Sequence, residues 1–456
     1  MNIKKQREAL KLSQKKLSIL SGIDQVKISN HELEKKYLSK EDLKRLNEIL
    51  SNLDTQTVRE LSKKRIVTLA KHESSETSII HQHPRRSYSK TERNGEYLKN
   101  LNAISKLFKQ QKSKVAVSFF SGLGGLCYGA SAAGFNIVAA CEKEESFCKI
   151  HTQNFKDTHY LTNNICHITE EDLRNVLEKH PCIDLMVGGP PCQGFSLAGK
   201  RDTKDSRNIL FKNYLRIAKV LSPKIIVMEN VKMLTTMKDD GGELIINTIK
   251  SEFRKNGYQV SEFVCNAKNY GVPQSRNRVF FIGVRDDLEQ MPSFPKPLYE
   301  DSVFNERAFS FGDAVSDLKY LESGEKDILD PHHSAVKHPE HVLKWLYFVS
   351  EGKSAHENPD EKLRPPSGYN TTYKRQVWSR PSATVSTTFG MISGSNNVHP
   401  IATRALTVRE ALRLQSFPDS FVINGKLSDV RTMIGNAVPP MLAYEICKFL
   451  RDKYLT

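Results

Sequence analysis

The chain has 456 residues, 38% of them hydrophobic, with a formal net charge of +16. No apolar run approaches the roughly 18 residues that a membrane span needs, and the charged start Met1-Asn2-Ile3-Lys4-Lys5 has no signal-peptide core. A cytoplasmic protein with no membrane partner is expected. The eight cysteines include no Cys-x-x-Cys pair, so neither a metal site nor a disulfide framework is indicated.

The charge is unevenly placed. Residues 1–114 hold 26 Lys and Arg against 13 Asp and Glu, whereas the other 342 residues hold 42 against 39. Such a concentration favours a polyanionic partner through counterion release. Within it, Ser13 starts a helix through Leu20, Ser21-Gly22-Ile23 makes a tight turn, and Asp24 caps a second helix carrying Val26, Ile28 and Glu32. Two helices joined by a short turn with Gly form the helix-turn-helix pattern. Leu10, Leu17, Leu20, Ile23, Ile28, Leu43, Leu46 and Leu50 are its expected core, and Gln25, Lys27, Ser29 and Asn30 its outward, DNA-facing candidates. The segment resembles the small helical domain of bacterial and phage repressors, with His31 where an apolar residue is usual. That resemblance implies a promoter or operator DNA partner.

Residues 56–113 read as a linker with partial helix around Gly95–Lys109. From Lys114 strands and helices alternate. Strands are expected over 115–120, 136–141, 183–188, 224–228, 258–265 and 278–284, with helices over 145–155, about 207–221 and about 242–256. This is the pattern of a doubly wound α/β sheet. From about 290 to 380 the alternation lapses into Pro-, His- and Ser-rich sequence, and order resumes after Arg380, ending in a helix over Leu442–Lys453.

Two short runs carry chemistry. Gly188-Gly189-Pro190-Pro191-Cys192-Gln193-Gly194-Phe195-Ser196 and Met228-Glu229-Asn230-Val231 each follow a strand-type apolar run. A parallel sheet then sets a thiol and a carboxylate side by side at the carboxyl ends of strands. A thiol that can add to a ring, with an acid that can hold the ring's nitrogen, suits chemistry on a pyrimidine. Upstream, Phe120-Ser121-Gly122-Leu123-Gly124-Gly125 joins a strand to its helix, and Glu142 lies about twenty residues on, placed to grip ribose hydroxyls. Nicotinamide, flavin and S-adenosylmethionine folds all share that feature.

At these residues the chain resembles the cytosine-carbon-5 DNA methyltransferases, whose signature is Pro-Cys-Gln followed by Glu-Asn-Val. Gln274-Ser275-Arg276-Asn277-Arg278 matches the family's Gln-x-Arg-x-Arg. Arg404–Ala411 with Leu414–Pro418 matches the ninth motif, and Ile434–Pro440 the tenth, so the resemblance covers about 114–456. It implies a Rossmann-like, S-adenosylmethionine-dependent methyltransferase sheet with a small target-recognition domain, beside the N-terminal all-α helix-turn-helix domain. The implied boundaries are 1–55, the linker 56–113, a catalytic domain over 114–289, recognition and ninth motif over 290–429, and a return to the catalytic domain over 430–456.

The resemblance also assigns residues. Cys192 would add to the ring, Glu229 would hold nitrogen 3, Arg276 would support the base's carbonyl and Cys192, and Arg278 would orient Glu229. Phe120, Gly122 and Gly124 would line the S-adenosylmethionine pocket, Glu142 would hold the ribose, and Leu210 would pack on the adenosine. Asn436 and Val438 would return to that pocket. The family often has Asp where Ser118 and Asn164 stand; Asn164 still offers a carbonyl acceptor toward the adenine amine. Gln193, Ser196, Lys200 and Arg201 would belong to a loop that closes on double-stranded DNA with the target base flipped out. The implied activity is methylation of carbon 5 of cytosine within a short specific sequence. The implied setting is a restriction–modification system with an endonuclease encoded nearby. A tRNA cytosine methyltransferase and a regulator with a vestigial catalytic part are the rival readings.

Overall fold

Runs of Val, Ile and Ala from Lys114 onward are buried on both faces, which is what a sheet covered by helices on each side demands. The computed structural model describes residues 3–10, 12–21, 23, 25–33, 37–51, 78–161, 164–191, 206–239, 241–299 and 307–455. They fall into two units, 1–82 and 83–456.

In the first unit four helices, Ile3–Ala9, Gln14–Ser21, Gln25–Glu32 and Lys40–Ser51, surround one small core. Leu17, Ile23, Ile28, Leu46 and Leu50 are buried in it, as the pattern predicts, while Leu10 and Leu43 pack at its margin. Ile3, Leu12 and Leu38 complete it; they lie outside the helix pair and carry no periodic signal of their own. The side chain of Leu20, and Gly22 and Asp24, lie outside the described residues. Arg7 crosses from the first helix to the third, with Nε 2.7 Å from Oε1 of Glu32, and Gln14 Nε2 donates to the other oxygen at 2.8 Å. Burial alone would raise the pKa of Glu32, but the Arg7 and Gln14 hydrogen bonds outweigh it and hold the carboxyl below its ordinary value. Gln25 and Lys27 are exposed; Ser29 and Asn30 are half-buried.

The larger unit is built on a seven-stranded sheet. Its strands are β1 (Lys114–Phe119), β2 (Phe135–Cys141), β3 (His159–Tyr160), β4 (Leu185–Gly188), β5 (Ile225–Val231), β6 (Tyr258–Asn266) and β7 (Asn277–Arg285). They lie in the order β3-β2-β1-β4-β5-β7-β6. β1 to β5 pair in parallel, whereas β7 runs antiparallel to both β5 and β6. β6 and β7 are joined without a crossover helix, so the chain simply turns back. β3, two residues long, is too short to leave a pattern in the sequence. Helices Gly125–Ala132 and Pro440–Tyr454 share one core on one face. Helices Glu170–Lys179 and Ile245–Lys255 cover the other.

Residues 83–113, assigned to the linker by their sequence, belong to this larger unit. Tyr97, Leu101 and Ile104 of the helix Asn94–Phe108 are buried in the main core. Ahead of that helix an extended segment is fixed by polar side chains. Arg85 grips Glu325 through two bonds of 2.8 Å, and Arg86 donates to the carbonyls of Tyr347 (2.7 Å) and Ile401 (2.9 Å). The Tyr88 hydroxyl accepts from Arg404 at 3.0 Å, and its ring stacks on His399. Anchoring of this kind has no apolar period, and for that reason it looks like linker in the sequence.

The 290–380 region folds around two short helices, Phe311–Val315 and Glu340–Tyr347. Val342, Leu346, Ala355, Ile392, Val398 and Ala405 make a satellite core beside it. Below lies a fully buried pair, Arg404 on Glu410 at 2.9 and 2.7 Å.

Candidate active site

The carboxyl ends of β1, β2, β4 and β5 open into a cleft of about 350 Å³, at the point where strand order reverses between β1 and β4. Open α/β sheets hold their ligands at such a point. One wall is the turn after β1. Phe120, Gly122 and Gly124 have φ of 56°, 52° and 90°, and the left-handed conformation at Phe120 costs about 1 kcal/mol or more for a residue with a Cβ. Gly124 caps the helix Gly125–Ala132. A Cβ there would lie 2.6 Å from the Phe155 ring and 2.9 Å from His151, so no side chain fits. At Gly125 a Cβ would lie 1.9 Å from the carbonyl oxygen of Val438, and the missing side chain lets the 436–438 segment close the cleft.

Glu142, just past β2, accepts from the Gly122 N–H at 2.8 Å and from the Glu144 N–H at 3.1 Å. Burial raises its pKa, and these backbone bonds only partly offset the rise. A carboxylate is thereby fixed against a side-chain-free turn in a cleft of ligand size.

The opposite wall carries Glu229. Its Oε1 lies 2.7 Å from Nε of Arg278, which β7 delivers because Arg278 is in register with Val231. Its Oε2 faces the loop after β4, where a Cβ on Gly189 would be 3.1 Å away. Asn230 ties that loop to the sheet: its Nδ2 donates to the Pro190 carbonyl at 3.0 Å, and its Oδ1 accepts from the Val231 N–H at 2.8 Å. Arg276 is 1% exposed. It donates to the carbonyl of Gly435 at 3.0 Å and only weakly, at 3.5 Å, to that of Val385. Burial, then the neighbouring Arg278, lower its pKa.

Of the residues expected from the sequence, Glu229, Arg276, Arg278, Phe120, Gly122, Glu142, Asn436 and Val438 line this one cleft. Gly124, Asn164 and Leu210 are not among its lining. Gly124 sits behind it, against Phe155 and His151. Asn164 caps the turn Ile165–His167, accepting from the Cys166 N–H at 3.0 Å, and Leu210 packs on the second core. Cys192, Gln193, Ser196, Lys200 and Arg201 lie outside the described residues. Two further residues stand out. Phe147 lines the cleft. Gln274, fully buried, donates to Gln415 Oε1 (2.9 Å) and the Leu414 carbonyl (3.1 Å) and accepts from the Val385 N–H (3.0 Å). Gln274 opens the Gln-x-Arg-x-Arg run, so its position was visible, although its bracing role was not.

A carboxylate–guanidinium pair facing a glycine-turned cleft at the switch point of the sheet is a site of nucleotide-cofactor type, and comparison with known proteins narrows it. Residues 114–451 match the C-5 cytosine-specific DNA methylase family. The chain is 36% identical over 348 residues to the type II methyltransferase M1.HphI of Haemophilus parahaemolyticus, covering 76% of this chain and 88% of that one. It is 32% identical over 372 residues to the type II methyltransferase M.DdeI of Desulfomicrobium norvegicum, covering 73% and 87%. Among solved structures it resembles a prophage-encoded E. coli protein described as a DNA modification methyltransferase. That match has a TM-score of 0.57 and 25% identity, covering 75% of this chain and 99% of that one. The chain belongs to the C-5 cytosine-specific DNA methylase family. It is an S-adenosylmethionine-dependent DNA methyltransferase.

Proposed function

We propose that the protein methylates carbon 5 of a cytosine flipped out of a short, specific duplex sequence, and that it is the protective methylase of a restriction–modification system. The observation that carries the chemistry is the Glu229–Arg278 pair, facing across the cleft from the Glu142 turn. The two relatives named as type II methyltransferases support the setting.

The donor set suits S-adenosylmethionine: Glu142 toward ribose hydroxyls, the Phe120–Gly122 turn and Phe147 against the apolar parts, and Asn436 and Val438 closing the far side. When bound, that cofactor supplies an electrophilic methyl group. The chain's own residues make carbon 5 nucleophilic. Arg278 takes Oε1 of Glu229, leaving Oε2 to carry the proton that it donates to nitrogen 3 while accepting from the exocyclic amine of the ring. Withdrawal at nitrogen 3 makes carbon 6 electrophilic, and Cys192, next after Pro191, adds there as thiolate. A free thiol with a reference pKa near 8.5 is only slightly ionised at neutral pH, so the cationic arginines beside the loop assist. Arg276, held by backbone carbonyls, would support the base's own carbonyl.

Duplex DNA containing 5-fluorocytosine at the target tests this. Carbon 5 of that base cannot release a proton, so the wild-type protein should become covalently trapped, while Cys192→Ser should neither trap nor methylate. Bisulfite sequencing of DNA from expressing cells gives base and target together. Full methylation by the Ser variant, or transfer to tRNA in place of DNA, overturns the reading.

We infer also that the N-terminal unit binds operator DNA through Gln25, Lys27, Ser29 and Asn30. Its support is the helix pair packed on one small core, with Gln25 and Lys27 exposed on the second helix of the pair.

A further inference from the structure

The helix Leu427–Asn436 brings Asn436 into the active-site cleft at its carboxyl end. Five residues earlier it carries Arg431, about 7.5 Å back along the axis. Arg431 lines a second cavity, of about 420 Å³, whose described lining contains no carboxylate. The side chain is half-buried, and its Nε is shielded from solvent with no hydrogen-bond partner.

Other arginines withdrawn from solvent among the described residues meet carboxylates or backbone carbonyls, although Nε of Arg276 and of Arg375 is likewise without a partner. Arg404 pairs with Glu410, Arg409 with Asp330, and Arg413 with Asp317 and Asp419. Arg375 donates to a row of backbone carbonyls. Arg431 has neither kind of partner among the described residues. Only Nε is shut off from water, so the other N–H groups of this guanidinium, which meets no carboxylate among the described residues, are open to an anion from outside the chain.

The guanidinium is held in one place. It lies flat against Gly390, where a Cβ would come within 2.3 Å of its Cζ and Nε. The chain around Gly390 runs along the same helix, since a Cβ on Gly435 would meet the Thr387 nitrogen at 2.4 Å. Met391, Ser393 and Ser395 follow, all exposed. A fixed, uncompensated fork of N–H donors on the helix that closes the active site fits an oxygen-rich anion.

We propose that Arg431 contacts a backbone phosphate of the substrate DNA close to the target cytosine, with Gly390 left bare so that the guanidinium can lie there. This rests on the DNA methyltransferase reading and adds to it a positioning contact that reads no base. Phosphate contacts fix register and contribute a salt-dependent, sequence-independent share of affinity.

The test uses the full chain and measures Kd for a target duplex and a scrambled duplex across a salt series. In Arg431→Ala the slope of log K against log salt should fall in magnitude by about one phosphate's worth, ~0.9. Affinity should drop by the same factor on both duplexes, and the KM for DNA should rise by more than kcat falls. S-adenosylmethionine affinity should hold, and Arg431→Lys should restore most of the slope. Gly390→Ala, which pushes the guanidinium aside, should act in the same direction and add nothing in the Arg431→Ala background. An unchanged slope overturns the proposal, as does a loss confined to the target duplex or a loss of cofactor binding together with thermal stability. If the wild type methylated no DNA, it would be the functional reading, not this contact, that failed.

Discussion

Glu142 shows how one residue's surroundings set a condition on activity. Its carboxyl is buried and its pKa raised, with the Gly122 and Glu144 N–H groups holding only part of the ionised form's stability. If Glu142 grips the ribose hydroxyls as proposed, it does so in that ionised form, as acceptor. Because the pKa is raised, protonation begins at a higher pH than for an exposed glutamate, and cofactor affinity should fall as pH drops through that raised value. Calorimetric titration of S-adenosylmethionine between about pH 5 and 8 should show affinity weakening toward the acid end. Glu142→Gln should bind more weakly at neutral pH and lose the slope; a slope that persisted in the variant would belong to another group. At this scale the sequence is informative about identity and less so about circumstance. Glu229 was legible because its motif follows a strand-type run, at the strand end where such a sheet gathers side chains, and Arg278 because it stands in the Gln-x-Arg-x-Arg run that leads into a strand. That Arg278 alone pairs with Glu229, while Arg276 turns inward to two carbonyls, depends on the antiparallel register of β7, which no local pattern encodes.

At the scale of elements, the strap of residues 83–93 is the least expected part. It lies outside the 114–451 family match, yet it joins the helix Asn94–Phe108 to residues between 320 and 404 through Arg85, Arg86 and Tyr88. The strands were legible since each is a short apolar run bounded by turn residues. The strap was not, since its energy comes from scattered hydrogen bonds to partners more than 200 residues away. Tyr88 meets the guanidinium of Arg404, whose pairing with Glu410 is fully buried. Tyr88→Phe keeps the ring stacked on His399 but removes the acceptor, which should cost roughly 1–3 kcal/mol; Tyr88→Ala should cost more. Denaturant unfolding measures both. If the strap were a passive linker, the two variants would unfold like the wild type.

On the scale of the whole molecule, residues 1–82 hold 17 basic against 11 acidic residues and residues 83–456 hold 51 against 41, so more than half of the basic surplus of residues 1–114 belongs to the larger unit through residues 83–114. If the methyltransferase unit meets DNA through its own cleft as proposed, a second helical unit with exposed Gln25 and Lys27 supports the proposed operator contact as a separate task. Its fold depends on its own core and on the Arg7–Glu32 pair, and the division at Gln82 and His83 gives the place to cut. A protein starting at His83 keeps the strap and the helix Asn94–Phe108, so it should methylate the same sites in bisulfite sequencing while losing any footprint on the upstream region. Lys27→Ala or Asn30→Ala in the full chain should weaken that footprint by roughly 1–3 kcal/mol if the side chain reads a base edge, and by less if it meets only phosphate. The acid side offers a check on the unit itself. The pKa of Glu32 is lowered, so the stability it contributes is present above its unfolded value of 4.5 and is lost as pH falls through the lower folded value. Glu32→Gln should therefore destabilise the unit at neutral pH and abolish the footprint without changing methylation. A footprint that survived removal of residues 1–82 would assign the upstream binding to the methyltransferase unit instead.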